Sequence, residues 1–369
     1  MAQPHPRDIV IVDAIRTPMA NVENGFFKHM HASQLSACLV RHLIERNNFD
    51  IHDIEDVIWG SVYSENQNIG GEIRSLANLA KTTGSQTINR LDGSSMQALH
   101  TAAAQIAMHQ GNIFIVGGTE DQSYTTTQHN GLSAEIFARM NGITREQQDI
   151  FTLQSHQRAW QATQNGMFEK EIMTTIGYKK NGFKTPFKHD EVIQPHLTLS
   201  DLQRYAPTFD TAQGIITDAT IAQAATGASS LLLMSYEYAK LSNLKPRAVV
   251  RSMAIAGCDQ AMVGYGAVPA TQKALKRAGL SMKNIQAIEI HESSAAETLA
   301  ILKNLDLFDQ QDKVNIHGGA LALGHAKGNS GTRMITTLLH TMEQKKIQFG
   351  LATLSIGDGQ GIATIIERV

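Results

Sequence analysis

One ordered series of β-branched strands and apolar helices occurs twice along this chain, and that duplication constrains its fold more than any other feature. DIVIVDA (8–14), IEDVIWGSV (54–62), a helical pattern from Ser94 to His109 and NIFIVGG (112–118) make the first series. RAVVRSMAIAG (247–257), IQAIEIHES (285–293), a helical pattern from about Gly328 to Gln344 and FGLATLSIG (349–357) make the second. Strands alternating with helices read as an α/β arrangement around a parallel sheet. In both series a turn containing Gly and Ser, DGSS (92–95) or GHAKGNSG (324–331), opens the long helix before the last strand. The chain therefore reads as two similar α/β units packed together, a repeat too long for a solenoid.

The units divide as follows. Residues 1–118 with 226–244 form the N-terminal half, GASSLLLMS (227–235) returning as a strand to the first sheet, and 245–369 form the C-terminal half. Residues 119–225 form a more polar insert, with a helix over REQQDIFTLQSHQRAWQAT (145–163) and an irregular stretch at KKNGFKTPFKHDEVIQP (179–195). A length of 369 residues suits two to three packing units, and 42% hydrophobic content suits a packed core. With 32 basic against 34 acidic residues, no electrostatic pull toward nucleic acid or an anionic membrane is expected. Cys38 and Cys258 are the only cysteines, too few for a disulfide framework, and a reducing cytoplasmic location is expected. The start of the chain has no long apolar run, and no stretch is long enough to span a membrane, so neither export nor membrane insertion is expected.

Six longer segments carry a specific signature: IVDAIRTPM (11–19), NRLDGSSMQALH (89–100), ARMNGITREQQD (138–149), RSMAIAGCDQAMVGYGAVPA (251–270), GGALALGHAKGNSGTR (318–333) and FGLATLSIGDGQGIAT (349–364). Together they resemble the thiolase family, most closely the bacterial 3-ketoacyl-CoA thiolases (acetyl-CoA acyltransferases) that form the β subunit of fatty-acid-oxidation complexes. The resemblance covers essentially the whole chain. It implies an α/β thiolase fold of two similar βαβ-type halves in a five-layer αβαβα sandwich, plus an inserted and here shortened loop domain that carries most of the CoA contacts. It also implies a homodimer, and leaves open a hydratase/dehydrogenase α subunit and an acyl-CoA ligand as partners.

The chemistry departs from that pattern. The family's nucleophilic cysteine lies in the turn NRLCGSS, where Asp92 stands here. The family's second, proton-carrying cysteine lies in the final CIGxGQG turn, where this chain has Ser355. NEAF, whose asparagine helps to stabilise the thioester oxyanion, reads His291-Glu292-Ser293-Ser294, whereas the histidine of the GHP turn is kept as His325, followed by Ala326. The backbone amides of Asp92 and Gly357 match the family's second oxyanion hole. Along the pantetheine path TAGNAS becomes Thr217–Ala222, which puts Asp218 and Ala222 in place of an alanine and a serine. Ser293 and Ser294 replace the last two NEAF residues, HMG becomes His129-Asn130-Gly131, and Phe209 matches a pantetheine-packing aromatic.

Asp92 admits two readings: N-cap of the helix beginning near Gly93 and Ser94, or a proton-transfer group. Attack on a thioester is disfavoured, because a carboxylate is a far poorer nucleophile than a thiolate. Asp92 and His325 are expected to pair, either to hold a ligand or to satisfy a polar cavity. A Ser355–His325–Asp92 triad has the right residue types and awaits the geometry. No cofactor and no metal is expected. His29 and His31, the only close pair among 15 histidines, lack a third ligand nearby, and neither GDGQG nor GHAKGNSG fits a nucleotide loop. Cys258 is expected to fill a gap in the core. The leading expectation is a thiolase-like protein without classical thiolysis, acting as partner subunit or ligand binder. The alternative is another acyl-CoA chemistry (hydrolysis, decarboxylation or a retro-aldol step) with Asp92, His325 and His291 as acid–base groups.

Overall fold

The computed structural model describes residues 5–64, 66–121, 128–260, 262 and 264–369. In chain order the strands are β1 (Ile9–Arg16), β2 (Ala20–Asn21), β3 (Ile54–Gly60), β4 (Gly84–Ile88), β5 (Ile113–Glu120), β6 (Thr175–Tyr178), β7 (Lys184–Phe187), β8 (Ala225–Ser235), β9 (Ala248–Gly257), β10 (Ala287–Ile290), β11 (Phe349–Ile356) and β12 (Gln360–Arg368). The helices are α1 (Ala32–Arg46), α2 (Ile69–Leu76), α3 (Ser94–Ala107), α4 (Gln128–Met140), α5 (Arg145–Gln164), α6 (Leu199–Gln203), α7 (Tyr236–Leu241), α8 (Ala267–Ala278), α9 (Ala295–Asn304), α10 (Ala320–Leu323) and α11 (Ser330–Lys345).

The main sheet runs β10-β11-β12-β9-β1-β8-β5-β3-β4, with β2 beside β8. Its middle is the short antiparallel joint of β1 with β9, Val10 opposite Val249 and Ile11 opposite Ala248. On either side of that joint the order mirrors itself, β1-β8-β5-β3 against β9-β12-β11-β10, which is the duplication seen in the sequence. The sheet is mixed rather than parallel. Only β3, β4 and β5, and β10 with β11, pair in parallel, whereas β8 and β12 run antiparallel to their neighbours. The reason is the connections: β12 follows β11 through a tight turn, and a hairpin reverses direction where a helical crossover does not. The stretch at 179–195 is less irregular than expected, since Lys184–Phe187 pairs with Thr175–Tyr178 as a small hairpin.

Three apolar clusters explain the layering. Strand residues alternate between them, because successive side chains point to opposite faces. Phe114, Val116, Leu231 and Leu233 face a central cluster with Met96 and Leu99 of α3 and Met334 and Leu338 of α11. Ile113, Ile115, Leu232 and Met234 face the opposite way, against Leu35, Leu39 and Leu43 of α1. In the other half Leu351, Ala363 and Ile365 pack on α8 and α9 while Leu354 and Ile362 face the centre. Helices α3 and α11 are thus sandwiched between the two half-sheets, with most of their residues buried.

The insert is tied to this frame by a buried charge cluster. Arg16, at the end of β1, is fully buried and places Nε 2.6 Å from Glu171 and Nη1 2.7 Å from Asp190, with Phe168 beneath the guanidinium. Asp190 also accepts from the Met19 amide at 2.8 Å. Burial opposes the charge on Arg16, but Asp190 and Glu171 outweigh it and hold the guanidinium protonated. Arg16→Met is expected to lower the unfolding free energy by about 3–5 kcal/mol, because two buried carboxylates lose their partner. Denaturant unfolding checks this; a loss below about 1 kcal/mol shows that the cluster does not hold the insert.

Candidate functional site

Where α3 and α11 begin, backbone lies directly against backbone, and glycine makes this possible. A Cβ on Gly331 would collide with the Met96 amide, one on Gly60 with the Ser95 amide, and one on Gly118 with the Gly328 carbonyl. The two helix starts therefore share one floor, and the turns leading into them carry the polar residues. Before α3, Leu91 is held in the left-handed region at φ 46° by its amide's bond to Asn89 Oδ1, with the Ser94 hydroxyl accepting from the Arg90 amide. A bulky residue at positive φ is strained by roughly 1–3 kcal/mol and marks a place to look for function.

That turn corrects one expectation. Gly93, not Asp92, is the N-cap residue of α3, and no side chain caps the helix. The Asp92 carboxylate instead points at His325, with Oδ1 3.2 Å from Nε2. His325 follows α10 and is fixed by its own backbone, its amide donating to the Gln223 carbonyl and its carbonyl accepting from the Ala225 amide. His291, just past β10, packs its ring against that of His325 with centroids 4.3 Å apart. It is 3% exposed, and neither of its ring nitrogens has a hydrogen-bond partner among the described residues.

The electrostatics divide the three groups. Burial pushes the Asp92 carboxyl up, but the hydrogen bond and charge of His325, helped by Lys327 and His291, hold it well below the usual carboxylate range. Burial, followed by the charge of His325, pushes His291 far down, so its imidazole is neutral; Asp92 only partly offsets this. An ionised carboxylate and a neutral imidazole thus flank His325.

Ser355 lies on β11 with its hydroxyl donating to the Gly264 carbonyl and accepting from the Ala267 amide at 3.1 Å. A hydroxyl has one proton to give, and here the main chain takes it. The Ser355–His325–Asp92 triad does not form. Ser355 still lines a cavity of about 210 Å³ together with Asp92, His325, Gly357 and Phe209. Ala222, Ser293 and Ser294 line it too, the Ala222 amide donating to the Ser293 carbonyl and Ser294 capping α9 through the Glu297 amide. Asp218 faces a neighbouring depression instead, where its carboxylate accepts from Thr208 at 2.8 Å. His129 and Asn130 fall at the start of α4, with side chains outside the described residues; Gly131, next in the chain, abuts the Phe209 ring.

Family models for the thiolase N-terminal domain match residues 9–132 and 121–237, and the model for the thiolase C-terminal domain matches residues 244–368. The chain belongs to the thiolase family. It is 53% identical over 390 residues to a 3-ketoacyl-CoA thiolase of Acinetobacter baumannii, an alignment covering all of both chains. It is also similar to the crystal structure of human mitochondrial 3-ketoacyl-CoA thiolase, with a TM-score of 0.93, 30% identity and coverage of 99% of this chain and 100% of that one. The same human enzyme in complex with CoA matches with a TM-score of 0.91 and 29% identity, over 99% of this chain and 98% of that one. The thiolase fold expected from the motifs is the fold observed. No described helix is long and apolar enough to cross a membrane.

Neither cysteine lines the thiolase cavity. Cys38 lies on α1, where its sulfur meets Arg41, and Cys258 is half-buried at the end of β9 rather than filling the core as expected. His29 and His31 are both exposed ahead of α1. Lys327 and Glu297 are among the cavity groups that escaped the sequence reading. Lys327, one residue past Ala326 in the GHAKGNSG turn, stands 3.4 Å from the Tyr63 hydroxyl and above its ring. Glu297, on the first turn of α9, also lines the cavity. Its only sequence signal is the Ser294-x-x-Glu297 capping spacing, which explains it as a helix residue and conceals the cavity.

Burial, reinforced by the negative charge of Asp92 and only partly offset by a hydrogen bond from Ser293, pushes the Glu297 carboxyl up to about 7. Between its ordinary value of 4.5 and about 7 the native residue keeps a proton that the unfolded chain has released, so its contribution to stability falls as pH rises through that window. Glu297→Gln is expected to gain on the parent protein by up to roughly 3 kcal/mol on going from pH 4.5 to pH 8. Unfolding curves at both pH values decide it, and a pH-independent difference rules the buried proton out.

Proposed function

We propose that this chain is a thiolase-family protein that holds a CoA-class ligand in the retained cavity and does not carry out thiolysis by the cysteine route of its relatives. One observation carries the reading: the position at the start of α3 holds a carboxylate kept ionised and engaged with His325 3.2 Å away. A carboxylate in that state is a poor acyl acceptor, since the pairing that stabilises its charge also lowers its reactivity. The reading is supported by a Ser355 hydroxyl committed to the main chain, by His291 where the resemblance implies an asparagine, and by two cysteines that both lie away from the cavity.

The ligand class is argued from the walls. Phe209, Ala222, Ser293 and Ser294 surround a passage ending at Asp92, His325 and Gly357, and the human relative of the same fold has been solved with CoA. In this reading the protein is a cytoplasmic homodimer, or the thiolase-like partner of a hydratase/dehydrogenase α subunit. Its residues 1–118 with 226–244, 119–225 and 245–369 form the N-terminal half, the loop domain and the C-terminal half.

With a 3-ketoacyl-CoA and free CoA as substrates, the purified protein is expected to show no cleavage above the rate without protein, while calorimetric titration with CoA shows saturable binding. Cleavage that disappears in Asp92→Ala, or an acyl adduct on Asp92 by mass spectrometry, overturns the reading. A second reading, acid–base chemistry on an acyl-CoA, is favoured by the neutral and unpartnered His291 beside the Asp92–His325 pair. Turnover of an acyl-CoA that is abolished in His325→Ala while thiolysis stays absent distinguishes it.

A further inference from the structure

We propose that Asp92, His291 and His325 form a binding site for one divalent transition-metal ion of the zinc or iron(II) class. One oxygen of Asp92 and one ring nitrogen from each histidine all lie within 4.8 Å of one another. The closest pair, Asp92 Oδ1 and His325 Nε2, is 3.2 Å apart. Two ligands on an ion at ~2.0–2.2 Å, with tetrahedral or octahedral angles, sit about 3.0–3.5 Å apart, so this pair already has a chelating separation. His291 completes the set, its ring packed against that of His325.

An independent observation points to a missing partner. His291 is 3% exposed, and among the described residues both its ring nitrogens lack a hydrogen-bond partner. Leaving such a group unsatisfied costs about 1–3 kcal/mol, and an ion is one of the few occupants that answer it.

Two imidazoles with one carboxylate select zinc, iron(II), cobalt or nickel over magnesium and calcium, which prefer all-oxygen shells. The cationic groups nearby are Lys327 and Arg333, whose charges both act on His291. Because Asp92 and His325 line the cavity, the ion would stand at its floor with any remaining coordination positions toward the ligand space. The three ligands come from three distant segments, so no spacing in the sequence reveals them.

The full-length protein, stripped with chelator and free of CoA, is titrated with Zn²⁺ by calorimetry and with Co²⁺ by visible absorption. One equivalent is expected per chain, with cobalt bands of a nitrogen–oxygen shell. His291→Ala and His325→Ala are each expected to weaken binding at least about tenfold, whereas His100→Ala, which removes a histidine hydrogen-bonded to Thr364, leaves it unchanged. Melting curves verify that each variant folds. Should a variant fail to fold, anomalous scattering from crystals of the zinc-loaded parent locates the ion. Absence of saturable one-equivalent binding, binding indifferent to both substitutions, or an ion placed only at exposed His29 and His31 overturns the proposal. None of these outcomes depends on CoA binding, so a failure here leaves the ligand reading standing.

Discussion

The structure depends on how closely two buried helices begin. Gly331 against Met96, Gly60 against Ser95 and Gly118 against Gly328 leave no room for a single additional carbon, so α3 and α11 start on a common floor. The central polar pair of the cavity is placed by that approach. Asp92 precedes one helix, and His325 precedes the other through the turn of Gly328. Were the helix starts one carbon further apart, the 3.2 Å pairing across the two halves would be lost and the central apolar cluster beneath it would open.

On that floor, burial and charge work against each other. Desolvation alone would neutralise Asp92, yet the cations around it keep it ionised; the same desolvation keeps His291 neutral and Glu297 protonated up to about 7. A cavity with alternating ionised and neutral groups suits the recognition of a polar ligand or a cation more than the storage of an acyl group, which needs a soft nucleophile. The fold belongs to the thiolase family.

Much of the fold was legible from local pattern. The alternating apolar runs at 112–118 and 227–235 became buried strands with both faces packed, and REQQDIFTLQSHQRAWQAT became α5. Sheet direction was not legible, because alternation of strand and helix says nothing of a strand that returns from an insert or around a hairpin. The site was legible where motifs name residues: Asp92, His325, Ser355, Gly357 and Phe209 do meet at one cavity. It was illegible where a partner comes from elsewhere in the chain. The Ser355 proton goes to Gly264, Asp218 turns toward Thr208, and Glu297 reads as an ordinary helix-start residue until α9 is seen to abut Asp92.

The Arg16 cluster bears on how a ligand reaches the cavity. Its guanidinium is divided between Glu171 and Asp190 from the insert, with Thr17 taking a further donor, all out of contact with water. Swinging the insert outward as a hinged lid would strip charge from charge in a dry interior, a far larger cost than rotating side chains. The wall bearing Phe209 is therefore a fixed bank of the cavity.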